Sequence, residues 1–331
     1  MNAPMLAGLS AALGAGLLWG LVFLTPLLLA DYPPFMLAIG RYLAFGVLAL
    51  GLAWFDRAAL ARLTRADWIE AVKLALIGNL LYYSTLASAI QLAGGPVPTL
   101  IIGTLPVVIA ITANLLDRHR GGGEDSAPWA RLAAPLALIL GGLFAVHSAS
   151  AQALPADASA DYLLGIGFGL FALGCWTWYP IRNSRWLRAR GAGLARAWAT
   201  AQGLATLPVA IVAGIGYWLW DTRLAPAGPG FAWPLGPRPE VFVGMCILLG
   251  LAASWLGTLL WNRASHLLPA ALVGQLIVFE TLAALLYAFL WYGRWPGMAE
   301  SAGIVLLVAG VLGGVRVFRQ GGARAAGDAA A

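Results

Sequence analysis

Glu280 is the residue whose type and place most demand a chemical explanation. It lies eleven residues into an apolar run, Pro269–Trp291. At 1.5 Å per helical residue that is about 16 Å deep, near the centre of a bilayer. A lone acid there is costly, about 3 kcal/mol even by insertion scales, so it must face a cavity or a partner. Two chemistries fit. The carboxylate could carry a coupling proton or hold a substrate ammonium; or it could be structural, a hydrogen-bonded clamp between helices or an acid kept neutral by desolvation.

Other candidates sit in neighbouring apolar runs. In Trp68–Leu92, Asn79 and Tyr83 are four residues apart and share a helix face, Tyr82 lies beside them, and Ser84, Ser88 and Gln91 form a polar stripe at i, i+4, i+7. Such a stripe either lines a central cavity or hydrogen-bonds to adjacent helices, because facing lipid would leave it unsatisfied. Trp19 and Trp255 lie deep in their own runs, and Trp176, Trp178 and Tyr179 crowd one end of another. Aromatic walls suit an apolar or aromatic group, or a cation over a ring face; plain packing is the competing reading. Ser254, Thr258 and Trp261 repeat on one face, and Tyr287 falls seven residues after Glu280 on the same face. Arg41 is near enough to a run's end to snorkel to the interface, which points to a structural role. Glu70 and Lys73 are spaced for a local pair.

The elements that must position these residues follow from composition. The chain has 331 residues, 61% hydrophobic and only 10% charged, with mean hydropathy +0.81. Soluble domains carry roughly 25% charged residues, so this is an integral membrane protein. Ten apolar spans are expected: Ala7–Ala30, Phe35–Trp54, Trp68–Leu92, Pro96–Leu116, Leu132–Ser148, Tyr162–Asn183, Leu194–Trp220, Val241–Asn262, Pro269–Trp291 and Met298–Phe318. Pro106 and Pro135 interrupt the fourth and fifth. The first run lacks a basic flank and a clear cleavage site, so it reads as a retained helix.

Loop charge orients the bundle. With both termini cytoplasmic, fifteen arginines fall in inner loops and the tail, and three (Arg223, Arg238, Arg294) in outer loops. The net charge of +6 therefore sets topology and does not imply nucleic acid. Cys175 and Cys246 lie inside apolar runs and offer no disulfide or metal spacing. No cofactor or metal is expected. The only Lys is Lys73 and no P-loop exists, which excludes direct ATP drive within this chain.

Five spans followed by five make an inverted repeat, a common transporter plan. Residues 1–149 would form the first half, 150–320 the second, and 321–331 a short cytoplasmic tail. The fold expected is an all-α membrane protein, ten transmembrane helices as two inverted five-helix repeats around a central cavity. Both halves place Ala-Ser before a short link: Ala87-Ser88 before Gly94-Gly95-Pro96, and Ala264-Ser265 before Pro269.

With Leu18-Trp19-Gly20, Pro33-Pro34, Arg41-Tyr42, Gly141-Gly142 matched by Gly313-Gly314, and the Glu280 region, the whole chain resembles the drug/metabolite transporter superfamily in its ten-helix EamA-type form. It departs from that pattern at Thr281, where the family often has proline, and at Arg294, where it often has an acid. Within the superfamily it looks most like the bacterial branch that exports aromatic amino acids and methyl viologen. The resemblance implies a secondary exporter of a small metabolite, an amino acid foremost, in the bacterial inner membrane, as a monomer or a homodimer. An intramembrane enzyme would need clustered acids, a His-Glu-x-x-His helix or a nucleophile elbow, none of which is present; a passive channel would need a filter loop or charge ring. Gly16-x-x-x-Gly20, Gly165-x-x-x-Gly169 and Gly310-x-x-x-Gly314 allow close helix approach.

Overall fold

The computed structural model describes residues 3–118, 129–152, 159–190, 194–224, 231–267, 276 and 278–328. The described residues form helices and connecting turns, with no strand among them. In lipid every backbone N–H and C=O must be satisfied within the segment, and a helix does this alone. The helices are α1 (Ala3–Leu28), α2 (Pro34–Leu60), α3 (Arg65–Lys73), α4 (Tyr82–Ala93), α5 (Pro96–Gly103), α6 (Leu105–Arg118), α7 (Trp129–Gln152) and α8 (Ser159–Arg190). Then come α9 (Ala195–Leu219), α10 (Pro239–Leu248), α11 (Gly257–Leu267), α12 (Val278–Trp291) and α13 (Met298–Asp328). Two eight-residue π-helical segments, Leu74–Leu81 and Leu249–Leu256, join α3 to α4 and α10 to α11 without a break.

Five helices are long and apolar enough to cross a membrane: Met5–Leu28, Pro34–Leu60, Ala160–Asn183, Arg196–Leu224 and Pro239–Trp261. Shorter apolar helices occupy Pro96–Ile109, Ala133–Val146, Phe279–Trp291 and Met298–Gly310. The run Trp68–Leu92 is helical throughout, but Glu70, Lys73 and its polar stripe dilute its hydropathy. Its polar side chains face protein: Tyr82, Tyr83 and Ser84 are buried. The apolar exterior is carried by side chains such as Phe55, Phe144 and Val212, each at least 70% exposed.

The two prolines act differently. The fourth span breaks into α5 and α6 at Thr104, whose hydroxyl donates to the Ile101 carbonyl. Pro135, expected to interrupt its span, is carried inside a continuous α7. The tail expected at 321–331 is helical as far as Asp328. Gly94 closes α4 at φ +76°, a conformation that side-chain-bearing residues avoid. Residues 119–128 and the link 268–275 lie outside the described residues, as do the side chains of His147 and His266.

Small residues set which helices meet. A Cβ on Gly16 would lie 2.9 Å from that of Phe279 and 3.0 Å from the Glu280 nitrogen, and one on Gly20 would lie 2.8 Å from the Ala283 Cβ. The Gly16-x-x-x-Gly20 face thus presses α1 onto α12 beside Glu280. Gly165 likewise meets Ala93, and Gly310 meets Ile139 and the Pro135 carbonyl. These glycines pack helices of one chain. The principal pairings are α1 with α12 and α11, α2 with α9, α4 with α8, and α7 with α13.

Candidate functional site

The centre of the bundle gathers side chains from α2, α4, α12 and the second π segment. Arg41 on α2 is buried, not snorkelling as its position suggested. Its Nε donates to the Ser254 hydroxyl at 3.2 Å, and its guanidinium lies 4.6 Å from the Tyr83 ring centre and 5.1 Å from that of Tyr42. Among the described residues its Nη1 has no hydrogen-bond partner, and the buried Tyr83 hydroxyl makes none within 3.5 Å, with the Thr25 side chain close by. Glu280 is buried on the first turn of α12, and its charge acts on Arg41 and on Tyr82. Arg41 and Glu280 do not form an ion pair; none of the ion pairs among the described residues joins them. A buried charge left without a direct partner costs free energy, so its persistence points to a ligand or to water.

An aromatic column stands beside this centre. Trp176 stacks on Tyr82 with ring centres 4.7 Å apart and on Tyr179 at 4.8 Å. The Tyr179 ring fits because position 78 is glycine: a Cβ there would lie 2.1 Å from it. The Tyr179 hydroxyl donates to Gln202 at 2.6 Å, and Gln202 and Trp198 both donate to the Asn183 side-chain oxygen, at 3.1 and 2.7 Å. Asn79 donates to Thr206 at 3.2 Å.

The remaining expected site residues have mixed places. Ser84 and Ser88 return their protons to the Leu80 and Ser84 carbonyls, and Thr258 returns its own to Ser254. Gln91 donates to the carbonyls of Leu29 and Tyr32 at 3.2 and 3.0 Å, holding the last turn of α1 and its exit. Tyr287 donates to the Leu17 carbonyl. Trp19 donates to the Ala253 carbonyl at 3.0 Å and lies against Trp261, while Trp255 is half-buried on the second π segment. Gln91 and Tyr287 are therefore placed as helix ties, whereas Tyr82, Tyr83, Trp176, Tyr179 and Glu280 converge.

Sequence reasoning passed over Arg41's central position and the polar residues Gln202 and Thr206. The latter two are four apart and buried in α9, the same signal that picked out Ser84 and Ser88.

The arginine-rich ends of the helices are tied differently. Glu70 pairs with Arg182 through two hydrogen bonds of 2.8 and 2.7 Å, in place of the local pair with Lys73. Buried Asp56 accepts from Arg196 and from Thr200, each at 2.7 Å. Asp67 completes a capping box with Thr64, accepts from Trp186 at 2.7 Å and pairs with Arg190 at 2.9 Å. Burial pushes the Asp67 carboxyl up, but its hydrogen bonds to Thr64 and Trp186 and the Arg190 charge outweigh that and hold it below the usual carboxylate range. These contacts join α2 and α3 to α8 and α9.

At the opposite ends, Asp31 pairs with Arg238, whose guanidinium holds the Asp31 carboxyl below its ordinary value. Tyr32 stacks on Phe242 and accepts from the Arg238 backbone, so the segment before α10 is fastened over α1 and α2.

Comparison with known proteins agrees with this architecture. Residues 6–120 match the EamA-like transporter family. The chain is 47% identical over 313 residues to the inner membrane protein YtfF of Escherichia coli (strain K12), covering 94% of this chain and 96% of that protein. A solved crystal structure is similar over 94% of this chain and 96% of its own, with a TM-score of 0.57 at 19% identity, which speaks for a shared fold. On these grounds the chain belongs to the EamA-like transporters of the drug/metabolite transporter superfamily.

Proposed function

We propose that this protein is a secondary transporter that exports small zwitterionic metabolites, amino acids foremost, by alternating access. One observation carries the reading: among the described residues a buried guanidinium nitrogen and a buried tyrosine hydroxyl lack hydrogen-bond partners, within electrostatic reach of a buried carboxylate. Arg41 is seven residues from the start of α2, and Glu280 eleven from the end of α12. If these two ends lie at one membrane face, the side chains are roughly 10 and 16 Å deep. The offset of about 6 Å suits one molecule with its carboxylate on Arg41 and Tyr83 and its ammonium on Glu280. The Tyr82–Trp176–Tyr179 column would then receive the side chain.

The ten-span, inverted-repeat plan belongs to the same proposal. In such a plan spans three and eight are equivalent, as are the pairings of span three with six and span eight with one. The matched π segments in spans three and eight, and the packing of α4 on α8 and α11 on α1, support it. π-helical turns recur at functional sites because they release backbone groups and re-aim side chains. Both termini would be cytoplasmic, with the arginine-rich ties of α2 and α3 to α8 and α9 at the inner face. Rocking of the two halves would have to open those ties.

Counterflow of labelled amino acids in proteoliposomes tests the reading. Saturable counterflow is expected, and Glu280→Gln should remove its dependence on a pH gradient while the protein stays monodisperse. Flux that rises linearly with concentration would replace the carrier with a channel. Unchanged gradient dependence would take Glu280 out of proton coupling.

A further inference from the structure

A second site lies away from the centre, on the outer flank of α8. A groove of about 560 Å³ runs between α8 and α6, walled by Val108, Leu170, Leu173 and Ile181 and ending at Arg182 and Arg185. Its α8 residues recur every three or four positions from Leu170 to Arg185, so the groove follows the helix axis for fifteen residues, about 22 Å. One leaflet contributes about 15 Å of hydrocarbon and a further 5–7 Å of headgroup layer. The apolar wall therefore matches the length of an acyl chain, and the two arginines fall at headgroup depth.

Among the described residues the charge at that end is only partly neutralised. Arg182 gives two donors to Glu70 and remains 39% exposed, with further N–H groups free to bond. Arg185 has no carboxylate partner among the described residues. Trp178 lines the same end, beneath the Arg182 guanidinium, at the level where indole rings favour the interface. Halfway along, Gly174 leaves the wall open: nothing lies within 4 Å of where its Cβ would be.

We infer that this groove is a binding site for one anionic phospholipid, its phosphate on Arg185 and Arg182 and an acyl chain along Leu170, Leu173 and Gly174. A basic pocket between helices at the inner-leaflet level is suited to an anionic headgroup, and the apolar channel beneath it distinguishes a lipid from a free anion. The inference is independent of the central site.

Two substitutions separate the halves of the claim. Arg185→Gln removes the charge that has no carboxylate partner among the described residues. Gly174→Phe fills the channel without displacing a neighbour, and Gly174→Leu is the milder substitute should Phe disturb folding. The full chain, in detergent with phosphatidylglycerol or phosphatidylcholine, is assayed for lipid adducts by native mass spectrometry. Thermal midpoints in phosphatidylcholine nanodiscs report on the fold. Phosphatidylglycerol retention should fall about fivefold in Arg185→Gln, the factor one basic side chain supplies near an anionic surface, and by at least as much in the Gly174 variants. Midpoints and phosphatidylcholine adducts should be unchanged. Equal phosphatidylglycerol retention in all the proteins would overturn the site. Loss in Arg185→Gln alone would reduce it to surface attraction and overturn the groove as well.

Discussion

Two regions of this molecule treat charge in opposite ways. At the arginine-rich ends of α2, α3, α8 and α9, Asp56, Asp67 and Glu70 each hold an arginine, and two of them also take a hydroxyl or an indole N–H. Deeper in the bundle, Arg41 keeps an unpartnered nitrogen under the rings of Tyr42 and Tyr83, and Glu280 stands near it without closing the pair. The low dielectric that makes an unpaired charge costly is stronger at the centre, so stability alone would have favoured pairing there first. The ends are built to hold helices together. The centre leaves donors unused among the described residues, as the proposed binding and release of a charged molecule would require.

That contrast can be broken by experiment. The largest effect should come from Arg41→Leu, which is expected to lower amino-acid counterflow by at least tenfold, the factor lost with a charge-assisted hydrogen bond of about 1.5–3 kcal/mol. Its thermal midpoint should hold or rise, because a buried charge with an unmet donor is gone. A protein that loses transport only because it unfolds would erase the distinction between centre and ends.

Next, Gly16→Leu should destabilise by about 1–3 kcal/mol through overpacking of α1 on α12, seen as a lower midpoint in a thermal scan. Glu280 sits at that contact, so transport should fall as well. Asp56→Ala should cost about 1–2 kcal/mol: Thr200 loses its carboxylate acceptor and keeps only the longer bond to the Arg196 carbonyl, while Arg196, largely exposed, turns to solvent. Its midpoint should drop by a few degrees, with substrate affinity in binding titrations unchanged.

The smallest effect concerns pH. Asp31 is held below its ordinary pKa by Arg238, so its contribution to stability is present above about pH 4 and is lost as pH falls through its lowered value. Asp31→Asn should flatten the acid limb of a stability–pH curve slightly and leave neutral-pH stability almost as it was, since the pair is exposed.

Much of the architecture was legible in the residues. Apolar run length marked out the long helices at Met5–Leu28, Pro34–Leu60 and Ala160–Asn183, because lipid admits little else. Glu280 and the aromatic trio of Tyr82, Trp176 and Tyr179 were also legible, because a charge or several rings at mid-depth need a special neighbourhood. Spacing said nothing of which neighbours they find. Glu70 had Lys73 within reach along its helix, yet its partner is Arg182, 112 positions away. Gln91 looked like part of a substrate wall and instead ties off α1, a role fixed by where that helix ends. Arg41 looked able to snorkel, and only the packing of α2 against the π segment carrying Ser254 turns it inward. The π segments themselves left no mark in the apolar pattern, since both stretches are apolar at nearly every position and show no face whose period could change.

The stacked indoles of Trp186 and Trp198 carry one more consequence. Their rings lie face to face at 3.7 Å, with an angle of 8° between planes, and both N–H groups are occupied, by Asp67 and Asn183. Two identical chromophores held this closely share their excited states, and where their transition dipoles are skewed the pair gives bands of opposite sign in far-ultraviolet circular dichroism. The coupling decays steeply with separation. The molecule thus carries an optical gauge at the junction of α8 with α9, readable without any label, whose signal would vanish if those helices parted during a transport cycle.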